Sequence, residues 1–329
     1  MIVTTSKKRR TESQIINSSR KAKDGWELHP AGCLQVLEAP ALTQLTWLVH
    51  AFSTRRGTGQ LRGTNGAKTR KPRQASEADG QVLNLGFTDG DTRRRVLSNR
   101  RQFLHAIGAD GMNLVAIEQI HSDVVHRITS ATPAITELAR GDALLTSVPG
   151  ILLGVQTADC VPILLADRKR RAVAAIHAGW RSTLLRIAAK TLGRMRMEFG
   201  TSPQDVMAAI GPSIGRCCYE VGSEVAAAFH SQFPNAREWF DGPFDALACG
   251  ENDPNWLPWL TKKPPGHAPP PPRVHLDLVA ANCAILTEAG VPPAQISQSG
   301  LCTACRTDLF FSYRRERVTG RLMAVIGIR

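Results

Sequence analysis

Four short apolar runs crowded between Ala143 and His177 set the strongest limit on the fold of this chain. Ala143 to Thr146, Ile151 to Thr157, Val161 to Leu165 and Ala172 to His177 are each bounded by turn residues and each too short for an ordinary helix. Buried strands satisfy that pattern. Beyond them the period changes: from Ser182 to Phe199 the apolar positions Leu184, Leu185, Ile187, Ala188, Leu192 and Met195 recur at helical spacing, with Arg and Lys between them. Ser223 to Phe233 and Leu278 to Ala289 have the same character, and Gly320 to Ile328 alternates as a terminal strand. The expected class is α/β (α+β), a strand core flanked by helices, forming a single catalytic domain over residues 25–329.

The rest of the chain is decoration or boundary. The net charge of +13 suggests nucleic acid until it is located along the sequence. Residues 1–24 hold seven Lys/Arg against two acids, and residues 56–73 hold six against none, together supplying +11. What remains is nearly neutral, so no folded basic face is expected, and with it no specific nucleic-acid partner. Residues 1–24 read as a basic disordered tail. Insertions are expected at about 58–80, basic and flexible, and at 242–273, which ends in a run of prolines that cannot enter a helix or a central strand. No stretch approaches the ~18 to 20 apolar residues of a membrane span. Eight irregularly spaced cysteines in 329 residues are unlike a secreted disulfide framework, which points to reduced thiols and a cytoplasmic protein.

Chemistry concentrates where the apolar runs end. Cys160 follows Thr157-Ala158-Asp159 and precedes Val161-Pro162, at a strand edge where side chains face a cleft. Seventeen residues on, His177 ends another apolar run before Ala178-Gly179-Trp180-Arg181, and His121 follows the run Leu114 to Ile117. Two imidazoles and a thiolate suit a tetrahedral zinc, or a copper, with one position open for catalysis. Asp159 is placed to orient a water or a ligand's second nitrogen. The same residues have a plain reading as a hydrogen-bonded structural histidine and a buried thiol, and spacing alone does not separate the two.

Several longer motifs, in order, carry a family resemblance. Thr157 to Pro162, His177 to Arg181, Ile210-Gly211-Pro212-Ser213-Ile214, Cys218-Tyr219-Glu220-Val221-Gly222 and Phe311-Ser312-Tyr313-Arg314-Arg315 resemble the laccase-domain family, as do Phe52-Ser53-Thr54-Arg55, Leu83-Asn84-Leu85-Gly86 and Asn99-Arg100. This family, once described as multicopper polyphenol oxidase, is now read as purine nucleoside phosphorylases with adenosine deaminase activity. The resemblance implies a mixed β-sandwich core, often in a homodimer, with His121, Cys160 and His177 as ligands of Zn2+ (or Cu2+). Adenosine, inosine and S-methyl-5'-thioadenosine are the implied substrates, with phosphate as co-substrate. The chain departs from the family pattern at Ser122 and Ser182, where glycine is usual.

Phosphorolysis needs anion-binding groups, for which guanidinium forks are suited. Arg55 and Arg314 are the candidates, with Asn84 as a substrate contact and Asp159, Cys160 and Arg55 as catalytic residues. Two other enzyme readings stand beside this one: copper-dependent oxidation of phenols (a laccase), and a Cys160 nucleophile with His177 as base in an amidase editing a cell-wall precursor. The C-x-x-C of Cys302 and Cys305 has no second C-x-x-C to complete a zinc ribbon, so packing is the expected role. Adjacent Cys217 and Cys218 are not expected to chelate one ion together.

Overall fold

The structure, a computed structural model, describes residues 25–32, 34–57, 82–129, 139–244 and 273–329. The expected basic tail lies outside these residues, as do the insertion at 58–80 and nearly all of that at 242–273. Among the described residues no helix is long and apolar enough to cross a membrane.

Two six-stranded mixed sheets face one another. The first comprises β1 (Glu27–Ala31), β2 (Leu34–Glu38), β3 (Leu48–Ser53), β4 (Asn113–Ala116), β7 (Ile151–Thr157) and β15 (Leu322–Ile328), in the order β1-β2-β3-β15-β7-β4. The second comprises β5 (Val125–Arg127), β6 (Ala143–Thr146), β8 (Val161–Asp167), β9 (Ala172–Ala178), β10 (Val206–Ile210) and β14 (Ile296–Gln298), in the order β14-β10-β8-β9-β6-β5. A small third sheet joins β11 (Glu220–Val221), β12 (Phe240–Asp241) and β13 (Val274–Leu276). The expected mixed sandwich is therefore present, and helices cover both outer faces.

Alternation explains why the four apolar runs are hydrophobic throughout. In β8, Leu164 and Ala166 point between the sheets with Phe52, Leu153 and Ala324, while Ile163 and Leu165 point outward. The outward set packs on α4 (Ile187–Phe199) and α6 (Leu278–Glu288) through Leu192, Met195 and Ile285. On the other side, Val49, Leu152 and Val325 pack against Phe103 of α2 (Arg93–Ala106). A strand covered on both faces needs apolar residues at every position.

The helical run expected from Ser182 to Phe199 is two helices, α3 (Trp180–Leu184) and α4, with shorter α1 (Pro40–Thr43), α5 (Ser223–Gln232) and α7 (Tyr313–Glu316) elsewhere. Arg186, at φ 59°, adopts the left-handed conformation and breaks the run. Leu185 is consequently exposed.

One buried histidine makes the fold acid-sensitive. His50 in β3 accepts a hydrogen bond from the Ala39 N–H at 2.9 Å, and burial pushes its imidazole down to about 4. The unfolded chain binds that proton near pH 6.5, so the stability conferred by neutral His50 is full above that pH and is lost as pH falls toward 4. Between pH 7.5 and 5 the wild type should lose about 2 kcal/mol more unfolding free energy than His50→Gln, read by urea denaturation at both pH values. Equal losses in the two proteins would remove His50 as the cause.

Candidate metal centre

Strand register delivers the site. In the β8–β9 pair Pro162 lies opposite His177, so Cys160 and Gly179 emerge just beyond the same end. In the β6–β9 pair Ala143 faces Ile176, which sets Asp142 beside His177, and the His177 N–H donates to the Asp142 carbonyl at 2.8 Å. His121 arrives from the other sheet on the loop after β4. That loop is held by Gln119, whose side chain makes paired hydrogen bonds of 2.7 and 2.8 Å to the backbone of Gln156.

The three predicted residues come together. One ligand atom from each of His121, Cys160 and His177 lies within 4.8 Å of the others, and Cys160 Sγ is 3.7 Å from His121 Nε2. The imidazole rings meet edge to face, with centroids 5.0 Å apart. Gly179 is required by this closeness: a Cβ there would lie 2.7 Å from His121 Cδ2 and 3.2 Å from Cys160 Sγ. No other residue type fits at 179 without displacing His121 or Cys160.

Asp142, which sequence reasoning missed, organises the group. It is fully buried, and its Oδ1 accepts from His177 Nδ1 at 2.8 Å and from the His121 N–H at 3.0 Å. Its Oδ2 accepts from the Ser122 N–H and hydroxyl, at 2.5 and 2.7 Å. Ser122, one of the departures from the family pattern, thus adds a hydroxyl donor that glycine lacks. His121 itself sits at φ 58°, a left-handed conformation that these bonds hold. Burial opposes ionisation of Asp142, but the hydrogen bonds from His177 and Ser122 outweigh it and bring its carboxyl to about 2. The second nitrogen of His177 is therefore engaged by Asp142 and not by Asp159, correcting the expectation for Asp159 as its partner.

The polypeptide also favours the thiolate. Burial opposes ionisation of Cys160, but the charge of His177 and hydrogen bonds from both histidines bring it down to about 6. Burial likewise opposes charge on His177, and the Cys160 charge with the Asp142 hydrogen bond lifts it to about 9. A thiolate beside two imidazoles, one backed by a carboxylate, is a donor set that could hold zinc or copper. The residues fit the metal that the sequence implied.

The other predicted residues divide. A cavity of about 1010 Å³ is lined by His121, Cys160 and His177, and Asp159 and Arg314 line it too. Asp159, at φ 101°, has its carboxylate engaged: Oδ1 accepts from the Thr303 hydroxyl at 2.6 Å and Oδ2 from the Arg314 N–H at 2.7 Å. The Arg314 guanidinium donates twice to the Glu220 carbonyl at 2.9 Å and lies over the Tyr219 ring. Arg55 and Asn84 do not line the cavity. Arg55 pairs with Glu316 at 2.6 Å and lies over Phe311, locking the C-terminal loop. Asn84 Oδ1 accepts from the Gly86 and Arg321 N–H groups at 3.0 and 2.8 Å, which fixes the cavity rim from behind.

Arg93 and Arg100, by contrast, do line it, both with the guanidinium over the Phe87 ring at 4.9 and 4.5 Å from its centroid. Neither makes an ion pair with a described carboxylate. Burial, and then the neighbouring Arg93 charge, lowers Arg100 to about 10. Two cations on one cavity wall, Arg93 exposed and Arg100 half-buried, attract an anion. Apart from Asn99-Arg100 within a family block, nothing in the sequence marked them, because their grouping depends on one face of α2 meeting the cavity. Trp180 packs against the helical core and also lines the cavity.

Removing the carboxylate behind His177 should weaken metal retention. Asp142→Asn is expected to lower affinity about 10- to 100-fold, and Gly179→Ala to lower it as well by displacing His121, both read by chelator competition. Unchanged affinity in both variants would mean that the three residues do not act as a ligand set.

Comparison with known proteins accords with this geometry. Residues 65–329 match the family described as multi-copper polyphenol oxidoreductase laccase. The chain is 35% identical over 265 residues to a protein of Bacteroides thetaiotaomicron named purine nucleoside phosphorylase, covering 78% of this chain and 89% of that one. It is 36% identical over 273 residues to a protein from an unknown prokaryotic organism named adenosine deaminase, covering 81% and 86%. The crystal structure of the Bacillus licheniformis hypothetical protein YfiH superposes with a TM-score of 0.71 at 29% identity, covering 93% of this chain and all of that one. With its sandwich, its ordered motifs and its His121, Cys160 and His177 cluster, the chain belongs to this laccase-domain family.

Proposed function

We propose that this protein is a metal-dependent purine nucleoside phosphorylase that also deaminates adenosine, acting on adenosine, inosine and S-methyl-5'-thioadenosine. The observation that carries this reading is the placement of the His121, Cys160 and His177 cluster and the Arg93–Arg100 pair on the walls of one cavity. Relatives named for both activities support it.

Each wall has a task. His121, Cys160 and His177 hold the metal, which when bound supplies Lewis-acid polarisation at that end of the cavity. Asp142 orients His177 and keeps its Nε2 free to ligate. Arg93 and Arg100 replace Arg55 as the phosphate-binding residues, since charge-assisted hydrogen bonds to phosphate require guanidinium groups inside the cavity. Arg314, its guanidinium bound to the Glu220 carbonyl, lines the same cavity, while Trp180 and Tyr219 offer flat apolar surface to a purine. Asp159 is a positioning residue: it ties the Arg314 backbone to Thr303 and so shapes the wall.

One alternative has a specific observation behind it. The polarised Cys160–His177 pair, backed by Asp142, also has the order of a thiol nucleophile, its base and an orienting carboxylate. A cysteine amidase would keep its activity after chelation, and a metal-dependent phosphorylase would lose it. The phenol-oxidase reading is weaker, because among the described residues only one candidate ligand group contains histidine.

The test is incubation of purified protein with adenosine, with and without phosphate, and chromatography of the products. Phosphate-dependent release of adenine and phosphate-independent formation of inosine are expected, both falling at least about 100-fold in Cys160→Ala. Neither product from metal-replete protein would end the proposal. Arg100→Gln should raise KM for phosphate about tenfold or more, equivalent to the ~1.5–3 kcal/mol of a charged hydrogen bond. Its deamination rate should stay within about twofold, and an equal loss of both activities would assign Arg100 a structural role only.

A further inference from the structure

We propose that Cys217, Cys218, Cys302 and Cys305 form a second metal centre, a closed tetrathiolate site for one thiophilic divalent ion of the zinc class, which staples two loops at the wall of the active cavity. The four sulfurs lie within 4.8 Å of one another. Cys305 Sγ is 3.5 Å from both Cys217 Sγ and Cys218 Sγ. Four thiolates at the zinc–sulfur bond length of ~2.3 Å in tetrahedral array have edges of ~3.8 Å, close to these separations. A disulfide needs ~2.05 Å. Cys305 stands equally far from two partners, an arrangement that a disulfide cannot serve and a shared ion can.

Local backbone makes the set possible. The turn at Gly215 curls, with the Cys218 and Tyr219 N–H groups both donating to the Gly215 carbonyl at 2.9 and 3.0 Å, so adjacent cysteines turn to one point. This removes the objection that adjacent residues cannot share an ion, which holds for extended chain. The C-x-x-C of Cys302 and Cys305 closes a similar turn, with the Cys305 and Arg306 N–H groups donating to the Cys302 carbonyl. The paired motif that sequence could not supply is thus replaced by Cys217-Cys218, brought across by the Ser213–Cys302 bridge.

Two donors reach the sulfurs. The Gly215 N–H donates to Cys302 Sγ at 3.2 Å and Arg315 Nη2 to Cys218 Sγ at 3.4 Å, and both stabilise negative sulfur. Four protein ligands leave no open position, so the role is structural, unlike the three-ligand centre. Its location gives that role a purpose. Between the cysteines and the cavity stand Ile214 and Tyr219, which line the cavity, and Thr303, which bonds Asp159.

Metal content of the full chain, purified without chelator, tests the assignment. Wild type should carry two ions per chain, and His121→Ala with His177→Ala should halve that to one. Cobalt(II) bound by this doubly substituted protein should show the intense sulfur-to-metal charge-transfer bands of a tetrathiolate. Cys302→Ser with Cys305→Ser should abolish them. Because that variant disturbs a buried turn, thiol reactivity in the His121, His177 variant gives an independent reading: four further thiols should react with Ellman's reagent only after chelation. Retention of no metal by that variant, a disulfide among the four, or four thiols that react without chelation would each overturn the proposal.

Discussion

The buried carboxylate of Asp142 is the interaction on which the rest of the site depends. A fully buried anion is tolerated only when its oxygens are filled by donors, and here the donors are the parts that must be aligned. His177 Nδ1, the His121 backbone and Ser122 all converge on it. One residue therefore fixes an imidazole from β9 and a left-handed loop from the opposite sheet. Loss of any donor would leave charge unpaired in the interior, which couples the ligand geometry to the stability of the sandwich.

Asp159 works in a parallel way on the C-terminal side. Its two oxygens hold Thr303 and the backbone of Arg314, and its carbonyl accepts from Ile214. Three segments distant in sequence meet there, at a residue whose φ is itself strained. The two carboxylates thus divide the labour, one beneath His121 and His177 and one along the cavity wall. The four cysteines lie directly behind that second wall, joined to it through Thr303 and Tyr219.

The charge distribution fits this economy. Most of the excess basic charge lies in segments 1–24 and 56–73 of the sequence. Within the cavity, Arg93 and Arg100 both lie over Phe87, Arg314 is bound to the Glu220 carbonyl, and Arg317 and Arg321 complete the basic lining. Guanidinium groups gathered on one cavity attract an anion locally, whatever the net charge of the chain.

The sequence by itself determined the strands between Ala143 and His177, because runs buried on both faces must be apolar throughout. It also marked His121, Cys160 and His177 through the motifs around them. Arg55 and Asn84 had the right chemistry and motif context but are turned to structural work, since sequence records no direction for a side chain outside a regular element. Asp142, Arg100 and the four-cysteine cluster were decided only by tertiary structure. Asp142 precedes β6 and touches His177 through strand register, Arg100 reaches the cavity from one face of α2, and Cys217 meets Cys305 across 88 residues. Contacts between segments so far apart depend on how the sheets are ordered, which local periodicity does not encode.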